Sequence, residues 1–127
     1  MILKNSLYKI VGKSVQKKGI CYDIELDANH TIYQAHFPGE PITPGVCLVQ
    51  IAQELFEDHL QQTYSLKGIK NVKFLSIISP KTHSQVTYVL EKIESMNDTG
   101  DCKVIVQVLD SVSSSIFAKL SLLFTKR

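Results

Sequence analysis

A single helix among many strands is the pattern that most constrains this chain. Residues 44–62 (PGVCLVQIAQELFEDHLQQ) are the one stretch with a sustained helical period. There Leu48, Val49, Ala52, Leu55, Phe56 and either His59 or Leu60 recur at helical spacing and predict an apolar stripe. Gln50, Glu54, Glu57, Asp58 and Gln61 fall on the other side. Pro44 suits the entry, where a missing N–H costs nothing. Such a helix is about 28 Å long at 1.5 Å per residue.

Elsewhere the period is two. Ile20, Tyr22, Ile24 and Leu26 alternate with Cys21, Asp23 and Glu25, which predicts a half-buried strand over Gly19–Asp27. Strand character also marks Leu7–Val15, Ile69–Ile78, Gln85–Ile93, Lys103–Leu109 and Ile116–Thr125. Turn residues separate them: Asp27–His30, Lys67-Gly68, Ser79-Pro80, Asn97–Asp101 and Ser113–Ser115. The order is two strands, a connection, one helix, then about four strands. It predicts an α+β domain in which a curved antiparallel sheet of five to six strands wraps one long central helix. Such a sheet keeps open edges, and a dimer with a continuous sheet would remove one edge from each subunit.

A length of 127 residues fits one domain over residues 1–127, and 44% hydrophobic with 20% charged residues fits an ordinary buried core. The net charge is +2 with no basic block longer than Lys17-Lys18, which speaks against nucleic acid as the main partner. Cys21, Cys47 and Cys102 are odd in number and widely spaced, with no metal-ligand or CxxC pattern, so reduced thiols are expected. No apolar run reaches the length of a signal peptide or of a membrane span, about 20 residues. The expected location is the cytoplasm.

The chemistry concentrates in HFPGEPITPGVCLVQIAQE, residues 36–54. His36, with an ordinary pKa near 6.5, can act as a base at neutral pH. Gly39 and Gly45 allow backbone to approach a ligand. Gly45 falls at the expected helix start, where unpaired N–H groups and the positive dipole end favour developing negative charge. Base plus oxyanion site points to proton abstraction next to a carbonyl. His30, His59 and His83 read as turn, packed or solvated residues, and Cys47 as a packing residue.

The segment resembles the active-site segment of the hot-dog fold 3-hydroxyacyl-acyl carrier protein dehydratases, whose pattern is HFPG-x-P-x-x-PGV followed by a helix. His36, Phe37, Pro38, Gly39, Pro41, Pro44, Gly45 and Val46 match it, and KNVKFLSIISP (residues 70–80) is similar to their next strand through Phe74 and Pro80. The resemblance implies a hot-dog fold and the removal of water from a (3R)-3-hydroxyacyl thioester. His36 would take the C2 proton. The Gly45 N–H would polarise the thioester carbonyl, with Phe37, Gly39, Pro44 and Val46 lining the substrate site. The resemblance also implies that a helix acid from the other subunit protonates the leaving hydroxyl. It implies no metal or redox cofactor and a substrate carried on acyl carrier protein or coenzyme A. A homodimer is the expected assembly, with higher or hetero-oligomers as alternatives.

Two departures qualify it. The family carries an acid on the helix followed four residues later by glutamine. This chain has Gln50 at the acid's place and Glu54 at the glutamine's. Residues four apart share a helix face, so Glu54 is on the correct stripe one turn deeper. Where the family has a Gly-Asp pair after the proline, this chain reads Lys81-Thr82-His83-Ser84. Gln50 and Glu54 are therefore both candidate catalytic residues beside His36. The alternatives are a hot-dog acyl thioesterase, with Glu54 activating water, or an impaired carrier-binding or heterodimer subunit. Lys67, Lys70, Lys73 and Lys81 are candidate contacts for an acidic carrier protein.

Overall fold

The computed structural model describes residues 2–35, 39–96 and 99–127. Six strands and two helices follow in the order β1 (Tyr8–Gln16), β2 (Gly19–Leu26), α1 (Ile32–Ala35), α2 (Gly45–Leu60), β3 (Tyr64–Phe74), β4 (Gln85–Met96), β5 (Asp101–Asp110) and β6 (Ile116–Lys126). The strands form one sheet in the order β1-β2-β4-β5-β6-β3, with every neighbouring pair antiparallel. The α+β arrangement expected from the sequence is the one observed.

Alternation places the core. Tyr22, Ile24 and Leu26 of β2, Val104, Val106 and Val108 of β5, and Leu120, Leu122 and Phe124 of β6 are all buried in one cluster with α2. The opposite face of the sheet buries only a small second cluster of Cys21, Val89 and Leu109. Within α2 the helix is covered on nearly every side, since Cys47–Val49 and Ile51–Phe56 are all buried. That wrap exceeds the one-sided stripe expected. Glu54, placed opposite the apolar stripe by the sequence pattern, is only 9% exposed, and its neighbour Gln53 only 8%. Leu60 is the reverse case, exposed at the helix end.

Tyrosines set how α2 sits in the sheet. Tyr8, Tyr22 and Tyr88 come from β1, β2 and β4, and each is fully buried. Their hydroxyls donate to Glu54 (3.0 Å), Asp58 (2.7 Å) and the Leu48 carbonyl (2.9 Å). A buried hydroxyl needs a partner, and each such bond adds about 1 kcal/mol net. Together they fix the helix rotation along three of its turns.

The boundaries depart from the sequence pattern most at α2 and β3. α2 ends at Leu60 rather than Gln62, because Gln61 turns into the left-handed region (φ 53°) and donates back to the Glu57 carbonyl. β3 begins at Tyr64 rather than Ile69 and stops at Phe74 rather than Ile78. Register shifts at Leu66/Gly68 and Ile69/Asn71 break its period, so Lys67-Gly68 looks like a turn in sequence yet lies inside the strand. The four-residue α1 is too short to carry a period of its own. The β4–β5 hairpin turns where expected, with Gly100 at φ 78° and Thr99 Oγ1 donating to the Met96 carbonyl at 2.7 Å.

Candidate active site

The site is built where the connection from β2 enters α2. Tyr33 of α1 and Thr43 are both buried, and their hydroxyls meet at 2.9 Å. Thr43 N–H also donates to the Ile78 carbonyl at 2.8 Å. Thr43 is thereby joined both to α1, which precedes the HFPG segment in sequence, and to the loop that follows β3. His36, Phe37 and Pro38 themselves lie outside the described residues. Gly39 is exposed and Pro41 buried.

Pro44 is extended (φ −63°, ψ 144°) and caps α2 without a side-chain bond. Its carbonyl accepts from Cys47 N–H at 3.0 Å and Leu48 N–H at 3.2 Å. The N–H groups of Gly45 and Val46 are then the two at the positive end of the dipole that the helix itself does not use. Beside them runs an apolar groove of about 380 Å³, lined by Gly45, Val46 and Val49 of α2 and by Leu66, Ile69 and Phe74 of β3. The Phe74 ring lies flush on Gly45: a Cβ there would meet its Cζ at 2.6 Å. Gly45 is thus fixed by close approach. Gly39 lines a separate recess of about 330 Å³ with Pro41, Ile42, Ile77 and Lys81. Of the residues expected to bind substrate, Gly45 and Val46 thus line the groove and Gly39 the separate recess.

Gln50 and Glu54 are brought together. Gln50 Nε2 donates to Glu54 Oε2 at 2.8 Å. The same carboxylate accepts from Leu3 N–H at 2.8 Å, Lys4 N–H at 2.8 Å and the Tyr8 hydroxyl at 3.0 Å. Its two oxygens thus take four donors. Burial, and then the Glu54 charge beside it, push the Tyr8 phenol well above its usual range, so it stays a donor. One turn on, Asp58 accepts from Tyr22 and from Lys4 Nζ at 3.4 Å. These bonds, the Tyr22 contact foremost, hold its carboxyl below the usual value. Glu57 accepts from Tyr64 N–H at 2.8 Å. The acidic side of α2 is thus bound into the fold along its length.

The sequence pattern missed the N-terminal segment as part of this site. Its contacts with Glu54 join residues 46 to 51 positions apart, which no local period records. Other candidates settle plainly. Burial raises the Cys47 thiol despite its place near the helix start, which fits a packing role. Burial lowers the His59 imidazole, so it is neutral within the helix. His30 Nδ1 accepts from Ile32 N–H at 3.1 Å at the start of α1. Lys67 is held by Asp101 at 2.6 Å.

One long helix wrapped by a six-stranded antiparallel sheet defines the hot-dog fold. Within it the chain belongs to the ApeI-like family, the ApeI dehydratases, whose profile matches residues 12–107. It is similar to the 3-hydroxyacyl-[acyl-carrier-protein] dehydratase FabZ of Ligilactobacillus salivarius, 30% identical over 103 residues that cover 76% of this chain and 68% of that one. The chain spans about 56 to 68% of the length of the curated relatives it matches. Two solved structures share the fold. The dehydratase heterocomplex ApeI:P from Xenorhabdus doucetiae matches with a TM-score of 0.64 at 13% identity, covering 92% of this chain and 96% of that one. The (R)-hydratase from A. caviae matches with a TM-score of 0.61 at 11% identity, covering 98% and 100%.

Proposed function

We propose that this chain is a hydro-lyase that removes water from (3R)-3-hydroxyacyl thioesters. The substrate arrives on acyl carrier protein or coenzyme A, within fatty-acid, lipid or polyene synthesis in the cytoplasm. The observation that carries the reading is the pair of spare N–H groups at Gly45 and Val46, within the PGV motif and beside an apolar groove. Such a helix start stabilises an enolate-like oxygen. His36 takes the C2 proton, the thioester oxygen gains charge against the Gly45 N–H, and the C3–O bond breaks as that proton passes on to the leaving hydroxyl, which departs as water. FabZ-type relatives and the family assignment support the same chemistry.

The edge strand β3 supports assembly as a dimer. Val46, Ile69, Phe74, Leu75 and Ile77 are each more than half exposed and lie on or beside it. A cluster of that kind on an unpaired sheet edge fits a subunit interface.

Gln50 and Glu54 favour a second reading, a subunit whose partner supplies the proton. Gln50 is an amide and cannot complete proton transfer, and losing one general acid costs on the order of 10²–10⁴ in rate. The ApeI:P structure is itself a heterocomplex. A thioesterase would need Glu54 to activate water, and its oxygens already take four donors.

Incubation with a (3R)-3-hydroxyacyl thioester, followed by absorbance of the enoyl product, tests the reading. Enoyl formation that disappears in His36→Ala is the expected result. Release of free thiol would assign a thioesterase. Turnover only after addition of an acid-bearing homologue would assign the heterodimer.

A further inference from the structure

The bond between Gln50 and Glu54 decides which end of the Gln50 amide serves the site. A carboxylate only accepts hydrogen bonds. At 2.8 Å the amide must therefore present its nitrogen, because the flipped amide would set two acceptors against each other. The amide is planar, with oxygen and nitrogen on opposite arms, so aiming Nε2 at Glu54 turns Oε1 away from it. Glu54 cannot follow a different orientation. The Leu3 and Lys4 amides and the buried Tyr8 hydroxyl hold its two oxygens from the other side.

We infer that Glu54 is a positioning residue that fixes Gln50 with its carbonyl oxygen toward the substrate, so that the site recognises a 3-hydroxyl by accepting its O–H hydrogen bond. The inference rests on the acyl-thioester reading and deepens it. The ligand class it selects is a thioester bearing a hydroxyl at C3, ahead of the saturated chain. An amide carbonyl has two lone pairs, so it takes the substrate hydroxyl alongside any other partner. A site built to pair with a substrate hydroxyl rejects the analogue that lacks it, because the polar group is then left unmatched. In this role Glu54 acts through Gln50, its own oxygens being occupied by Leu3, Lys4 and Tyr8 as well.

The test measures binding without turnover. All proteins carry His36→Asn, and calorimetry compares a 3-hydroxyacyl-coenzyme A with the saturated acyl-coenzyme A of equal length. With Gln50 and Glu54 intact, the hydroxyl should improve affinity about tenfold, the value of one well-made hydrogen bond. Gln50→Leu should erase that ratio. Glu54→Gln should also erase it while leaving affinity for the saturated chain unchanged, because a glutamine can face either end of the Gln50 amide. A merely structural Glu54 would weaken both ligands together and keep the ratio. Equal binding of the two thioesters by the intact pair, or an unchanged ratio in Glu54→Gln, overturns the inference and leaves the acyl-thioester reading standing. Binding of neither thioester overturns both.

Discussion

Gln50 donates to Glu54 across one turn of the central helix, and the receiving carboxylate lies beneath the N-terminal segment and not in open solvent. Against the pattern that the sequence resembles, acid and amide would have exchanged places here, and a bond joins the two positions. What the exchange moves is charge. The ionisable group is one turn deeper, where Leu3, Lys4 and Tyr8 converge on it.

Removing that carboxylate should loosen the N-terminal segment from the helix. Glu54→Ala leaves two backbone N–H groups, a phenol and an amide without their acceptor, and should cost about 3 kcal/mol. Glu54→Gln keeps one acceptor oxygen and should cost about half as much. Urea denaturation with an unchanged m-value measures both. A loss below about 0.5 kcal/mol for the alanine variant would mean these donors find other partners.

Tyr22 and Asp58 make a pH-dependent link one turn further on. Tyr22→Phe should cost about 1 kcal/mol at neutral pH. The Asp58 carboxyl is held below its ordinary value of 3.8, first by the Tyr22 bond. A depressed folded value means the contribution is present above the unfolded value and is lost as pH falls through the folded one. The stability gap between the native protein and Tyr22→Phe should therefore be constant from neutral pH down to about 5 and close below about 4. Denaturation series at stepped pH read this directly. A gap still open at pH 2 would assign the effect to packing of the ring.

How much of this was legible in the sequence depends on the range of the contact. The period-two run Ile20–Leu26 and the helical stripe of α2 are local patterns, and both elements are where the patterns put them. The start of β3 was hidden because its bulges interrupt the alternation that marks a strand. The burial of Glu54 was not legible because helical periodicity registers only which residues share a face. Whether a polar face is covered depends on segments elsewhere in the chain. The PGV entry was legible as a helix start, while Gly45 was expected to let backbone approach a ligand. The body that approaches it, the Phe74 ring, is 29 residues away in sequence and could only be found in three dimensions.

The edge of β3 should hold the protein together as a dimer. Ile69 is 53% exposed, lies on this outermost strand and lines the apolar groove. Ile69→Glu places a charge where an apolar contact is expected and should convert the dimer to monomer at micromolar concentration, with little change in secondary structure. Sedimentation velocity checks it. A native protein that sediments as a monomer removes the dimer from the proposal.

The contact between Gly45 and Phe74 makes the last prediction. In Gly45→Ala the new methyl would overlap the Phe74 ring at 2.6 Å, so one of them must move. The ring is 53% exposed and has room to swing outward. Stability should therefore change by no more than about 1 kcal/mol, the steric cost being offset in part by the better helix propensity of alanine. The groove mouth beside the Gly45 N–H changes shape, and a misplacement near 1 Å at a reacting centre typically costs about 10²-fold in rate. Turnover or acyl-thioester affinity should fall far more than stability does. Adding Phe74→Ala removes the obstacle, so the double variant should be less impaired than the sum of the two single effects. Additive effects in that cycle would show that ring and helix entry act independently.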